Sequence, residues 1–160
     1  MEALKETLSN HPVFKDLNPQ HIDFVSRYAS ERSFKQGTFI FKTGEPAEEF
    51  YLIKSGKVGL EVYAPPKGPL NILTLSESEV IGWSWLFEPC TWHFDARTIE
   101  DTEVYAFDAL EMREAFDKDY EFGYVFTKCF GHIMMQRLAA TRLQLLDVFG
   151  RDIGYPNLID

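Results

Sequence analysis

Apolar and polar residues follow three successive patterns along this chain. The first forty residues or so read as short helices. EALKETLSN is amphipathic, and NPQHIDFVSRYA places Asn18 where an N-cap belongs and Pro19 at the first helical position. Ile22, Phe24 and Val25 supply the apolar contacts of that second helix. From Phe34 the period shortens to β-branched and aromatic runs punctuated by Gly37, Gly44, Gly56 and Pro65-Pro66. FYLIKSGKVGLEV predicts two strands joined at Ser55-Gly56, because a hairpin turn needs a residue that tolerates positive φ. LNILTL and TEVYAF add further strands. Short strands at close spacing predict an antiparallel sandwich or barrel rather than a parallel sheet.

After Phe107 the pattern is helical again. DALEMREAF predicts a short helix, and DYEFGYVFTKCFGHIMMQRLAATRLQLLDVF a long one without proline, with Gly150 placed as a C-cap glycine. Phe122, Phe126, Phe130, Met134, Leu138, Leu145 and Val148 form an apolar stripe on it. At 1.5 Å per residue the helix runs about 45 Å, longer than a domain of this size can cover. Its second half is therefore expected to meet a partner, most simply the same helix of a second copy. Phe130, Met134, Leu138 and Leu145 would form the dimer seam, Ala139 and Ala140 would allow close approach, and Arg137 and Arg142 would pair with acids across it. Residues 1–150 read as one domain and 151–160 as a tail.

Composition narrows the function classes. The chain has 160 residues, single-domain size, and its net charge of −9 gives a nucleic-acid surface no support from the whole molecule. No run approaches the ~18 apolar residues of a membrane span. The polar amino terminus MEALKETLSN carries no secretory signal, and Cys90 and Cys129 form neither a disulfide scaffold nor a zinc pattern. Reduced thiols and a cytoplasmic location are the expectation.

One stretch stands apart. IGWSWLFEPCTWHFDAR holds all three tryptophans, Trp83, Trp85 and Trp92, behind Gly82. A cluster this local is either a hydrophobic plug or the lining of a site.

The order of short helices, about eight strands and a long terminal helix resembles the cyclic nucleotide-binding domain, the sensory half of the cAMP receptor and fumarate–nitrate regulator superfamily. The resemblance is carried by HPVFKDLNPQHIDFVSRYASERSFKQGTFIFKTGEPAEEFYLIKSGKVGLEV and by TIEDTEVYAFD, and it covers roughly Pro12 to Val148. It implies a mainly β fold with flanking helices: a double-stranded β-helix, or jelly roll, of about eight strands.

The resemblance also places a phosphate-binding cassette at Gly82, Trp83, Ser84, Trp85 and Leu86 and continues it at Trp92 and His93. In the family a glycine and glutamate precede a short helix, and an arginine and a small hydroxyl residue follow. Backbone amides and the arginine hold the cyclic phosphate, and the glutamate accepts from the ribose hydroxyl. Here Gly82 is in place and Trp83 stands at the glutamate position. Aligned back from TEVYAF, with one residue fewer in the loop, Trp92 stands at the arginine position and His93 at the hydroxyl position. An indole offers one donor and no charge, so the departures fall where ligand identity is decided.

Strand alternation puts Trp92, Phe94, Ala96 and Thr98 inward, and His93, Asp95 and Arg97 outward. Arg97 is the nearest spare cation in sequence; beside Asp95 and His93 its simplest role is a surface ion pair, and the alternative is a cassette ligand-binding residue that reaches a bound anion. The tryptophans either fill the nucleotide pocket or line an aromatic pocket for a flat or cationic ligand. Within GWSW, Trp83 and Trp85 share a side if extended and diverge if helical.

Other chemistry is thin. His11, His21, His93 and His132 offer no His-x-His pair for a cupin-type metal site, and Cys90 with His93 lacks a second pair. No phosphate loop, nucleophile elbow or carboxylate dyad appears. The chain reads as a non-enzymatic regulatory module that needs no cofactor and does not read cAMP or cGMP in the usual way. A ligand-free dimerisation domain is the competing expectation. A small-molecule ligand or protein partner stays open, while nucleic acid and membrane are not expected. Superfamily regulators continue into a helix-turn-helix. Only RDIGYPNLID follows Gly150, so this chain, or a regulator fragment lacking that unit, would not read DNA directly.

Overall fold

A computed structural model describes residues 2–152. Two short helices, α1 (Glu2–Asn10) and α2 (Pro19–Arg27), precede eight strands: β1 (Ala29–Phe34), β2 (Phe39–Phe41), β3 (Glu49–Ser55), β4 (Val58–Ala64), β5 (Gly68–Leu75), β6 (Val80–Ile81), β7 (Asp95–Thr98) and β8 (Thr102–Asp108). Helices α3 (Ala109–Lys118) and α4 (Tyr120–Asp152) follow. The strands form two four-stranded antiparallel sheets, ordered β1-β8-β3-β6 and β2-β7-β4-β5. This is the expected eight-strand jelly-roll sandwich with short amino-terminal helices and a long terminal one.

Local chemistry explains the elements. The Asn18 side chain accepts from the His21 N–H at 2.8 Å and caps α2. Gly56 has φ +95°, and a Cβ there would sit 2.5 Å from the Asp101 carbonyl oxygen, so the β3–β4 turn admits only glycine. Asp108 accepts from the N–H groups of Leu110 and Glu111 and starts α3. Asp119 accepts from the Phe122 N–H at 3.0 Å and starts α4.

Two sequence expectations are corrected. Residues 29–34 form a strand, not part of a helix. ASERSF is mostly exposed and has no apolar alternation; it is an edge strand held by its register with β8 from Ala29–Phe107 to Phe34–Thr102. Nor does Gly150 end the last helix, because α4 continues to Asp152. The Val148 side chain and the tail from residue 153 lie outside the described residues.

β3 is covered on both faces. Phe50 stacks on Phe107 at 4.7 Å and meets Phe126 and Phe130 of α4. Tyr51 points the other way, toward Phe41 of the opposite sheet. The core therefore has two layers, one inside the sandwich and one between a sheet and α3–α4. Both layers reach the segment that holds the tryptophans.

Candidate functional site: a cassette closed on its own tryptophan

The cassette begins where β6 ends. Gly82 has φ +91°, a conformation that side chains rarely adopt, and the chain then makes a single 3-10 turn, Ser84–Leu86. The Leu86 N–H donates to the Trp83 carbonyl at 3.0 Å. The turn settles the alternation of Trp83 and Trp85: the two indoles diverge.

Trp85 is fully buried in the helical layer, stacked on Phe50 at 5.0 Å and edge-on to Phe126 and Phe130. Its Nε1 has no hydrogen-bond partner among the described residues. Its carbonyl accepts from Arg113 Nη1 at 3.2 Å, and the same nitrogen donates to Cys90 Sγ at 2.7 Å. Cys90 and Cys129 are both free thiols.

Trp92 takes the other layer. It is 5% exposed and stacks on Phe41 at 3.7 Å with the rings 10° apart. Its backbone is laddered to the turn at 44–47: Gly44 N–H donates to the Trp92 carbonyl at 2.8 Å, and Trp92 N–H to the Glu45 carbonyl at 3.0 Å. Its six-membered ring lies over Gly82, so close that a Cβ on Gly82 would meet it at 2.7 Å. The glycine that resembles a phosphate-binding residue here makes room for an indole.

What space remains is small. The recess among Phe41, Leu60, Trp83, Trp92, Phe94 and Arg137 has a volume of about 20 Å³. That holds about one water, whereas pockets for small organic ligands measure ~300–1,000 Å³. Larger hollows of about 360 and 440 Å³ lie between α2 and α3 and along α4 beside His11, the second of them bordered by Val80 and Arg137.

The polar residues at the mouth are arranged otherwise than expected. Ser84 Oγ and His93 Nδ1 are 3.2 Å apart, with His93 exposed. Trp92, Ala96 and Thr98 are buried as alternation predicts, with Phe94 half-buried. Arg97 makes a half-buried ion pair with the buried Glu61 rather than a surface one beside Asp95 and His93: Nε and Nη2 both donate to Glu61 Oε1, at 3.1 and 2.7 Å. Asp95 is occupied by the Thr43 N–H at 2.7 Å. The cation that lines the recess is Arg137, brought by α4. Its guanidinium lies 4.9 Å from the centre of the Trp83 ring, and Nη2 donates to the Val80 carbonyl. Burial pulls its pKa down to about 10, with Glu79 opposing. Arg137 thus packs on its own domain rather than across a seam. Helical spacing held the signal, since Arg137 follows Phe130 by two turns on the buried face.

Of the four seam residues, Phe130 is fully buried in the core and Met134 half-buried, which leaves Leu138 and Leu145, 62% and 52% exposed. Met135, Leu143 and Leu146 are exposed beside them. No three His, Cys or carboxylate side chains converge to hold a metal among the described residues. No helix among them is long and apolar enough to cross a membrane.

Comparison with known proteins supports the fold. The chain is 26% identical over 151 residues to the CRP-like cAMP-activated global transcriptional regulator of Mycobacterium tuberculosis, covering 94% of this chain and 65% of that protein. It is 29% identical over 99 residues to the cyclic AMP receptor protein of Thermus thermophilus, 62% of this chain and 46% of that one. The chain thus spans less than two thirds of either relative. In fold it superposes on a cyclic nucleotide-binding domain from Methylobacillus flagellatus with a TM-score of 0.76 at 14% identity, over 99% of this chain and 86% of that one. The sensor domain of the Pseudomonas aeruginosa regulator DNR gives 0.70 at 16% identity, over 86% and 93%. Residues 31–119, more than half of the chain, match the cyclic nucleotide-binding domain, and the chain belongs to that family of non-enzymatic regulatory domains.

Proposed function

We propose that this chain is a cytoplasmic regulatory module of the cyclic nucleotide-binding type that supplies its own pocket filling and signals through α4 rather than by reading cAMP or cGMP in the family's usual way. The observation that carries the reading is Trp92, stacked on Phe41 and pressed on Gly82, with about 20 Å³ left beside it. The three side chains that would read a cyclic nucleotide are tryptophan, tryptophan and histidine at 83, 92 and 93. A buried charge-assisted pair missing one partner costs ~2–5 kcal/mol, roughly thirty- to several-thousand-fold in affinity. Titration calorimetry of cAMP and of cGMP at neutral pH is expected to give no heat of specific binding. A micromolar or tighter dissociation constant for either would overturn the reading, and Arg137→Met would then ask whether that guanidinium holds the phosphate.

The output is self-association through the distal half of α4. Leu138, Leu143, Leu145 and Leu146 stand exposed together there, an apolar patch that soluble monomers seldom leave uncovered. Light scattering is expected to report twice the chain mass. Leu138→Glu with Leu145→Glu should give a folded monomer, and a wild type already monomeric at high micromolar concentration would refute the dimer.

A further inference from the structure

The cassette touches α4 at two heights. At the lower one Trp85 lies against Phe126 and Phe130, with ring centres 6.0 and 5.5 Å apart. At the upper one Trp83 lies under the guanidinium of Arg137 at 4.9 Å. Arg137 follows Phe130 by two helical turns, a rise of about 10 Å. Between them Ile133 is the last buried residue of α4 among the described residues, and one position beyond Arg137 Leu138 is 62% exposed. Arg137 therefore stands where the helix leaves the sandwich.

Its remaining contacts hold it to the same place. Nη2 donates to the carbonyl of Val80, two residues before Gly82. Glu79 influences it only through space among the described residues, and the Glu79 carboxylate accepts instead from the Ser76 N–H at 2.7 Å. Among the described residues the guanidinium thus has an aromatic face and a backbone carbonyl as partners and no neutralising acid in contact. A half-buried cation in that setting depends on the ring beneath it, since cation–π attraction strengthens as water is removed.

We infer that the Trp83–Arg137 pair is a latch that sets the direction in which the distal half of α4 departs from the domain. A helix gripped at one height pivots about it; gripped at two, it has a fixed angle. Both grips come from one five-residue segment, so a movement of the 3-10 turn is transmitted to Leu138 and the residues beyond. The role belongs to Arg137 as a positioning residue and needs neither a bound nucleotide nor a second copy. It therefore stands or falls separately from the function proposed above.

Residue-resolved hydrogen exchange tests it, at a concentration where light scattering gives wild type and variants one mass. Arg137→Met and Trp83→Leu are each expected to speed exchange of the amides of residues 134–147 at least tenfold, with β3, β8 and residues 122–130 unchanged. The double variant should exchange no faster than Arg137→Met alone, because that variant already removes the contact that Trp83→Leu removes. Arg137→Lys keeps the charge but loses the planar face, and it should loosen the distal half as well. Lys128→Met, an equal loss of charge on the exposed side of the proximal half, should match wild type. The latch is refuted if distal amides keep wild-type protection in Arg137→Met, or if the two single effects add in the double variant. Arg137→Lys behaving as wild type, or protection falling equally in the sheets, would refute it too. Arg137→Met alone suffices should Trp83→Leu fail to fold.

Discussion

The two halves of α4 carry similar apolar residues to opposite fates. From Phe122 to Ile133 the ladder Phe122, Phe126, Phe130 and Ile133 is buried against β3, Trp85 and α3. From Leu138 onward Leu138, Leu143, Leu145 and Leu146 face outward. Side-chain hydrophobicity does not distinguish the halves. What differs is whether a sheet lies beneath, and the sandwich ends near Arg137. An apolar stripe shows which face of a helix seeks cover, while the reach of the neighbouring layer decides how much of it finds cover within the chain.

That contrast can be broken by substitution. Phe130→Ala removes a fully buried ring touching Phe50, Trp85 and Phe126. It should cost about 3–5 kcal/mol in denaturant unfolding. A loss below about 1 kcal/mol would mean that the proximal half is not core.

Trp85→Phe sharpens the same side. It gives up part of an indole's packing and also removes the buried Nε1 that has no acceptor. The two effects oppose, so the net change should stay below about 1.5 kcal/mol. A larger loss would show that the N–H is satisfied in solution, by a water for example.

Asp119→Asn addresses the joint where the proximal half begins. The Phe122 N–H, and then His21 at 3.2 Å, hold the Asp119 carboxyl below its ordinary pKa of 3.8. Its folded pKa is depressed, so its contribution is complete above that ordinary value and is lost as pH falls through the lower folded one. The variant keeps a capping oxygen but should show a shallower acid loss of stability, read from unfolding midpoints between pH 5 and about pH 2.

In the distal half the effect on folding should be smallest. Leu138→Gln or Leu145→Gln ought to leave the unfolding free energy of the monomer within about 0.5 kcal/mol of wild type. A drop of 2 kcal/mol or more would place these leucines against the domain and erase the contrast.

Much of the fold was legible because local chemistry governed it. The Asn18 cap, the Gly56 hairpin and the order of elements all follow from residues adjacent in sequence. β1 was illegible for the converse reason: ASERSF owes its conformation to pairing with β8, seventy residues away, not to any pattern of its own. At the site, the tryptophans and Gly82 could be picked out, as could the inward face of Trp92, Ala96 and Thr98. Their destinations could not, because a short 3-10 turn sent Trp83 and Trp85 into different surroundings. Arg97 drew attention as the nearest cation in sequence, while Arg137 was brought to the recess from fifty-four residues beyond Trp83 by tertiary packing.

Having every indole within ten residues also makes the protein its own optical probe. Intrinsic emission excited at the red edge of the absorption band, where tyrosine is silent, reports the cassette and nothing else. Far-ultraviolet dichroism, by contrast, is weighted toward the 33 residues of α4. The two signals therefore watch different parts of one molecule. Coincident melting curves would mark cassette and helix as a single cooperative unit, and curves that separate would resolve the distal helix loosening before the jelly roll gives way.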